Sequence, residues 1–259
     1  CGPAALAMVL AWSGSSVTQD EIGAQVYTPG REGTLQTDIL AGARRNGRLA
    51  VEVNDLRSLL TELTAGHPVL VFQNLGLSDL PQWHYAVAIG YELEPGNLTL
   101  HSGLEERRVL SFEVFERTWA RSDHWALVVL PPDRLPATAG LDAVLTAAVA
   151  IERVGRPADA AIAYATIAGK WPQSYAAWMG LGNSRYALAE FAAAERAFRS
   201  AIQAQPEAPQ AWNNLAYTLA EQGRRGEAIA AAERAVALGG AEAEQYRATL
   251  KELTAAPTS

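Results

Sequence analysis

The 259-residue chain has a single cysteine, and it is Cys1. One thiol excludes an intrachain disulfide and any metal cluster held by several cysteines. No initiator methionine opens the chain, so the sequence as it stands is expected to follow a processed or upstream segment, one able to hold a signal peptide. Long apolar runs are missing too. The most apolar stretch, 137–151, is interrupted by Asp142, and a membrane-spanning helix needs about 18 or more uninterrupted apolar residues. Positive charge is in deficit: 21 Lys plus Arg stand against 28 Asp plus Glu, a formal net charge of −7. That argues against a nucleic-acid binder working by phosphate neutralisation. With 49% hydrophobic and 19% charged residues, the composition is that of a folded chain, and the length favours two domains.

The charge is unevenly spread. Residues 1–133 carry the whole −7 and all four histidines (His67, His84, His101 and His124), whereas 134–259 is neutral, alanine-rich and helical in pattern. Pro131, Pro132 and Pro136 stop regular structure between them. The expected organisation is a domain over 1–133, a proline-containing linker over 134–140 and a second domain over 141–255.

The second part repeats every 34 residues. Trp178 recurs as Trp212, Leu181 as Leu215, Ala194 as Ala228 and Ala201 as Ala235. Within 175–208, Trp178, Leu181, Gly182, Ala194, Phe198, Ala201 and Pro206 fall on the tetratricopeptide template. Residues 209–242 follow it with Gly240 in place of the proline, and 141–174 keep a more worn form. This part resembles tetratricopeptide repeats: three of them, closed by a helix over 243–253. The resemblance implies an all-α solenoid whose groove binds a protein partner. Gly239-Gly240 reads as the helix cap of the last repeat.

The first part reads as α+β. An apolar helix over 4–12 follows Cys1, with Pro3 where a first helical turn tolerates it. Thr18 with Glu21 forms a capping-box pattern opening a short helix. Further helices are predicted over 37–46 and 56–64. Strands are predicted over 49–53, 69–73, 83–91, 98–101 and 125–130, with a Pro95-Gly96-Asn97 turn making a hairpin.

Cys1 admits three readings: a thiolate nucleophile at a helix start, an N-terminal nucleophile using its own amine as base, or an acylated lipoprotein residue. A lipid anchor normally runs on into a polar tether, whereas this cysteine enters an apolar helix, whose N-terminus lowers a thiol pKa. Cys1-Gly2-Pro3-Ala4-Ala5-Leu6-Ala7-Met8-Val9-Leu10 with Trp83-His84-Tyr85-Ala86-Val87-Ala88-Ile89-Gly90-Tyr91 resembles the papain-like peptidases that remove double-glycine leaders from bacteriocins. The resemblance spans residues 1 to about 130. It implies a papain-like fold with Cys1 as nucleophile and His84 as general base. The family's orienting Asp has no counterpart, and its place falls on Ser102, with His101 as the alternative and Asn97 as a remote one. The family's glutamine oxyanion donor would lie upstream of Cys1.

The expected protein is thus a bacterial cysteine peptidase acting on a peptide or protein substrate, or an impaired peptidase-like peptide binder, with a further protein partner in the repeat groove. No cofactor, no metal and no nucleic acid are expected. Export to the periplasm or a lipid anchor on Cys1 are both compatible with a removed upstream segment. His67, in a Gly-His-Pro turn, is expected to be surface or structural. His124 reads as packing, and with Asp123 it makes no metal site. Arg44-Arg45 reads as a solvated helix face.

Overall fold

The structure, a computed structural model, describes residues 1–28, 30, 33–77 and 79–255. Two compact units divide it, Cys1–Val154 and Gly155–Ser259.

The first unit is built on an antiparallel sheet of six strands, β1 (Leu49–Val53), β2 (Val69–Asn74), β3 (Trp83–Glu92), β4 (Asn97–Ser102), β5 (Glu105–Ser111) and β6 (Ala126–Leu130). Their order is β1-β6-β2-β3-β4-β5. Strand residues alternate between two cores, as a period of two requires. Leu70, Tyr85, Val87, Leu127 and Val129 pack towards α1 (Gly2–Trp12), α2 (Gln19–Val26) and α3 (Gln36–Arg45). Val71, Ala86, Ala88, Leu100 and Val128 pack towards α4 (Leu56–Thr64) and α5 (Phe112–Ala120), around Leu59, Phe115 and Trp119.

Local chemistry sets the helix starts. Pro3 lies in the first turn of α1, with Cys1 at its N-cap. Thr18 Oγ1 accepts from the Glu21 N–H at 3.3 Å while Glu21 Oε2 accepts from the Thr18 N–H at 2.8 Å, completing the capping box of α2. Asp55 caps α4 and Ser111 caps α5. Strand β5 and helix α5 are absent from the sequence reading. Strand β5 is an edge strand of sequence Glu-Glu-Arg-Arg-Val-Leu-Ser. Charge on an edge masks the apolar alternation used to recognise strands and discourages pairing with other chains.

A buried carboxylate ties the proline-containing segment to this unit. Glu62 of α4 is fully buried. It accepts from His67 Nδ1 at 2.7 Å, from the Ala137 N–H at 3.1 Å, and from the Thr138 N–H and Oγ1 at 2.7 and 2.6 Å. His67 packs its ring edge-on to Trp12, and the Arg134 guanidinium lies over the other ring system of that contact, Trp12 itself, 5.6 Å from its centre. His67 is structural, and it is buried. The segment expected as a proline-containing linker is therefore held to this unit by the Glu62 side chain, 75 residues away from Ala137 in sequence. Beyond it, α6 (Leu141–Arg153) packs on β1 and α3 within the same unit. Arg44 is not fully solvated: it lines the groove between these elements beside Glu52 and Asp142. Burial lowers its pKa, and Glu52 opposes that effect.

The second unit is all helical: α7 (Pro157–Lys170), α8 (Tyr175–Ala187), α9 (Phe191–Ala204), α10 (Pro209–Glu221), α11 (Arg225–Leu238) and α12 (Ala243–Thr254). Helix starts at 175, 209 and 243 and at 157, 191 and 225 keep the 34-residue spacing of the sequence. Gly239 caps α11 with φ +70°, as expected of the Gly-Gly pair. Close packing explains the small residues. A Cβ on Gly182 would stand 2.4 Å from the Phe198 ring, and one on Gly180 would stand 2.4 Å from the Tyr164 ring. Gly182→Ala is therefore expected to cost about 1–3 kcal/mol through overpacking, seen as a lower urea midpoint. Gly169→Ala in α7, where a Cβ meets nothing within 4 Å, should instead stabilise by roughly 0.5–1 kcal/mol.

Candidate active site

A cleft of about 740 Å³ opens at the N-terminus of α1. Cys1, Gly2 and Pro3 form one side of it, Gly33 to Gln36 another, and Phe72, Trp83 and Tyr85 its aromatic wall. Cys1 is exposed and is a free thiol. As N-cap residue it sits beside the unpaired N–H groups of the first helical turn, which favour a thiolate. The helix start is held against the 34–36 segment at close range. A Cβ on Gly2 would stand 2.7 Å from Thr34 Cβ, and Tyr85 OH donates to the Thr34 carbonyl at 3.0 Å. Burial, with Asp38 adding to it, pushes the Tyr85 phenol well up, so it remains a donor.

His84 follows Trp83 and precedes Tyr85 near the start of β3, opposite Gln73 of β2. Its Nε2 is 2.9 Å from Ser102 Oγ. Register makes this pair. Val87 faces His101 and Ala88 faces Leu100 across β3 and β4. Continuing that register sets Ser102 opposite Ala86, a diagonal neighbour of His84 on the same face of the sheet. His101, one residue earlier, belongs to the other face. Its Nδ1 accepts from the Arg107 N–H of β5 at 3.4 Å. Asn97 pairs with Glu92 and Ser111 at the far end of β4. The imidazole thus meets Ser102 and not His101 or Asn97. Gly103, with φ +62°, brings the next turn to the ring: a Cβ there would lie 4.0 Å from His84 Cε1.

With Nε2 engaged by Ser102, Nδ1 is left as the second functional nitrogen of His84. Burial pushes the His84 pKa down, and the positive charges of the Cys1 amino group and Arg108 push it further. A neutral hydroxyl supplies none of the charge compensation a carboxylate would give to imidazolium. No hydrogen bond caps α1 from the Cys1 side chain, and none joins Cys1 to His84 in this structure.

The other histidines are used elsewhere. His67 is bound to Glu62, as described. His124 Nε2 is 2.6 Å from Glu116 Oε1, and its ring stands edge-on to Trp119 at 4.9 Å. Among the described residues no group of three or more His, Cys, Asp or Glu side chains could hold a metal ion, and no helix is long and apolar enough to cross a membrane. Arg121 and Asp123 also line the cleft, and the sequence reading gave neither a role there. They lie about 120 residues from Cys1 in sequence, and the turn after α5 that carries them is tied to β2 by Arg121 on the Asn74 carbonyl and Ser122 Oγ on the Phe72 carbonyl.

Residues 1–126 match the family described as Peptidase_C39 like family, and residues 145–188 and 180–243 match the tetratricopeptide repeat. The chain is a Peptidase C39-like domain followed by tetratricopeptide repeats. The comparison with curated proteins finds no match. Among solved structures, the chain is similar to the type III secretion translocator chaperone SycD of Yersinia enterocolitica. The identity is 17%, over 44% of this chain and 82% of that one, with a TM-score of 0.42. SycD in complex with a peptide of the translocator YopD matches at 18% identity, over 44% and 91% of the two chains, with a TM-score of 0.41. MamA matches at 19% identity, over 44% and 66%, with a TM-score of 0.42. The Peptidase C39-like domain and the repeats make this a peptidase-like domain joined to a protein-interaction module.

Proposed function

We propose that the peptidase-like domain, taken as residues 1–133, is a cysteine peptidase. In this reading Cys1 Sγ attacks the carbonyl carbon of a peptide bond and His84 Nδ1 takes the thiol proton. The same proton passes to the leaving amine, and water then hydrolyses the thioester with His84 again as base. Ser102 holds the ring through Nε2 and is a positioning residue. The observation that carries the proposal is the 2.9 Å contact between His84 Nε2 and Ser102 Oγ, which orients the imidazole and leaves Nδ1 for the thiol proton. Catalytic hydrogen bonds of unliganded sites often tighten only when substrate binds, so the proposal requires the Cys1–His84 contact to form with substrate. Backbone N–H groups at the start of α1 serve the oxyanion. Removal of double-glycine leaders is the finer form of this reading. The repeats, taken from residue 141 to 255 beyond the 134–140 segment, would hold the substrate protein or a partner.

The neutral Ser102 and the lowered His84 pKa favour one second reading, a peptidase-like module that binds peptide without cleaving it. A peptide-like thiol-reactive probe separates the two. Labelling of Cys1 that is lost in His84→Ala supports the peptidase. Absence of labelling at Cys1 leaves the binding module.

A further inference from the structure

We propose that Asp123 and Trp83 form a subsite selecting a basic side chain of the substrate, an inference that rests on the peptidase-like cleft taking a peptide. Both residues line the cleft at Cys1. Trp83 is 50% exposed, and its inner face is stacked on Phe72 with ring centres 5.1 Å apart. A rigid indole with one free face is a good platform for a cation.

Asp123 supplies the opposite charge. Its carboxylate makes no hydrogen bond or ion pair with any described residue, whereas its neighbour Arg121 is committed to the carbonyls of Asn74 and Gly76. Asp123 is also held in place. It and His124 have φ of +54° and +53°, in the left-handed region that Asp and His enter more readily than most non-glycine residues. Three contacts impose that conformation: the His124–Glu116 pair at 2.6 Å, Ser122 Oγ to the Phe72 carbonyl at 2.5 Å, and Trp119 Nε1 to the Trp125 carbonyl at 2.9 Å. The turn therefore fixes Asp123 at the cleft beside the aromatic wall. The net −7 of residues 1–133 gives the same sign of field over a longer range. A lysine or arginine side chain fits this chemistry, and an acidic one opposes it.

The test uses three alanine-glycine peptidyl vinyl sulfones differing in one residue, Lys, norleucine or Glu, placed in turn at the first four positions from the electrophile. The second-order rate of Cys1 labelling is read in the full chain. At one position, Lys should react about tenfold faster than norleucine, and Glu slowest. The Lys preference should shrink at high salt, collapse towards unity in Asp123→Asn, and reverse towards Glu in Asp123→Lys. Equal rates for Lys and norleucine at every position, or a Lys preference that survives Asp123→Asn, would overturn the subsite. Failure of the peptidase reading is distinguishable, because affinities of the unreactive Lys, norleucine and Glu peptides for Cys1→Ala report the same ratios without any chemistry at Cys1. Equal affinities there overturn the subsite, and a Lys preference dependent on Asp123 supports it even where no probe labels Cys1.

Discussion

His84→Ala should lower the rate of peptide-bond cleavage, or of Cys1 acylation, by about 10²–10⁴-fold, the range of a lost general acid–base group. Removing the imidazole removes the proposed acceptor of the Cys1 thiol proton. Ser102→Ala should do less, because it frees the ring to rotate without removing it. Its effect belongs on kcat more than on KM, since Ser102 reaches substrate only through His84. The pH profile separates a positioning role from a merely structural one. Burial, assisted by the Cys1 amino group and Arg108, keeps His84 neutral to lower pH than an ordinary histidine. The acid limb of kcat/KM, where the base becomes protonated, should accordingly lie below about pH 6.5. Ser102→Asp would place a carboxylate on Nε2, favour imidazolium and move that limb upward. An acid limb unmoved by Ser102→Asp, in a variant that folds, would show that Ser102 does not govern the ring.

The second large effect concerns stability. Glu62→Ala should destabilise the first unit by about 3–5 kcal/mol, the cost of removing one partner of a buried, hydrogen-bonded charge. Urea unfolding followed by tryptophan fluorescence measures it, because Trp12 packs against His67 in the same cluster. Four donors lose their acceptor at once: His67 Nδ1, the N–H groups of Ala137 and Thr138, and Thr138 Oγ1. The same carboxylate makes the stability pH-dependent. Burial alone would raise its pKa, but the bonds from His67, Thr138 and Ala137 outweigh it and hold the group below the usual glutamate range. The folded state then binds this proton less readily than the unfolded chain does. The contribution is complete above the ordinary glutamate value of about 4.3 and is lost as pH falls through the lower folded value. Cleavage by a protease near residues 134–140 should rise in Glu62→Ala, reporting release of the segment directly.

Much of this fold is legible in residue order, because the signals are local. The capping box at Thr18 and Glu21, the proline in the first turn of α1 and the 34-residue recurrence of Trp178, Leu181 and Ala194 act through neighbours within a turn or within one repeat. The helix starts follow them. The elements that escape are those whose pattern is overwritten by their surroundings. Strand β5 is charged because it is an edge, and α5 is nine residues long with an apolar side set by the sheet beneath it. Pro131, Pro132 and Pro136 mark an end of regular structure correctly, yet whether such a segment hangs free depends on an acceptor 75 residues away.

Cys1 and His84 stand out in the sequence because each sits in a distinctive run of neighbours. The partner of His84 does not: Ser102 and His101 are adjacent, and the resemblance puts the orienting position on Ser102 with His101 as the alternative. The sheet decides between them. Successive strand residues point to opposite faces, and the register of Val87 on His101 sends Ser102 to the face of His84 and His101 to the other. Asp123 reaches the cleft by the same kind of decision, made by the turn that closes α5 onto β2. Residue order alone marked most of the helices and strands, though not β5 or α5, and it singled out the thiol and the imidazole near the starts of α1 and β3. Which hydroxyl meets the imidazole, and which carboxylate lines the cleft at the thiol, was fixed only by strand register and helix packing, since those placements join residues that no local rule relates.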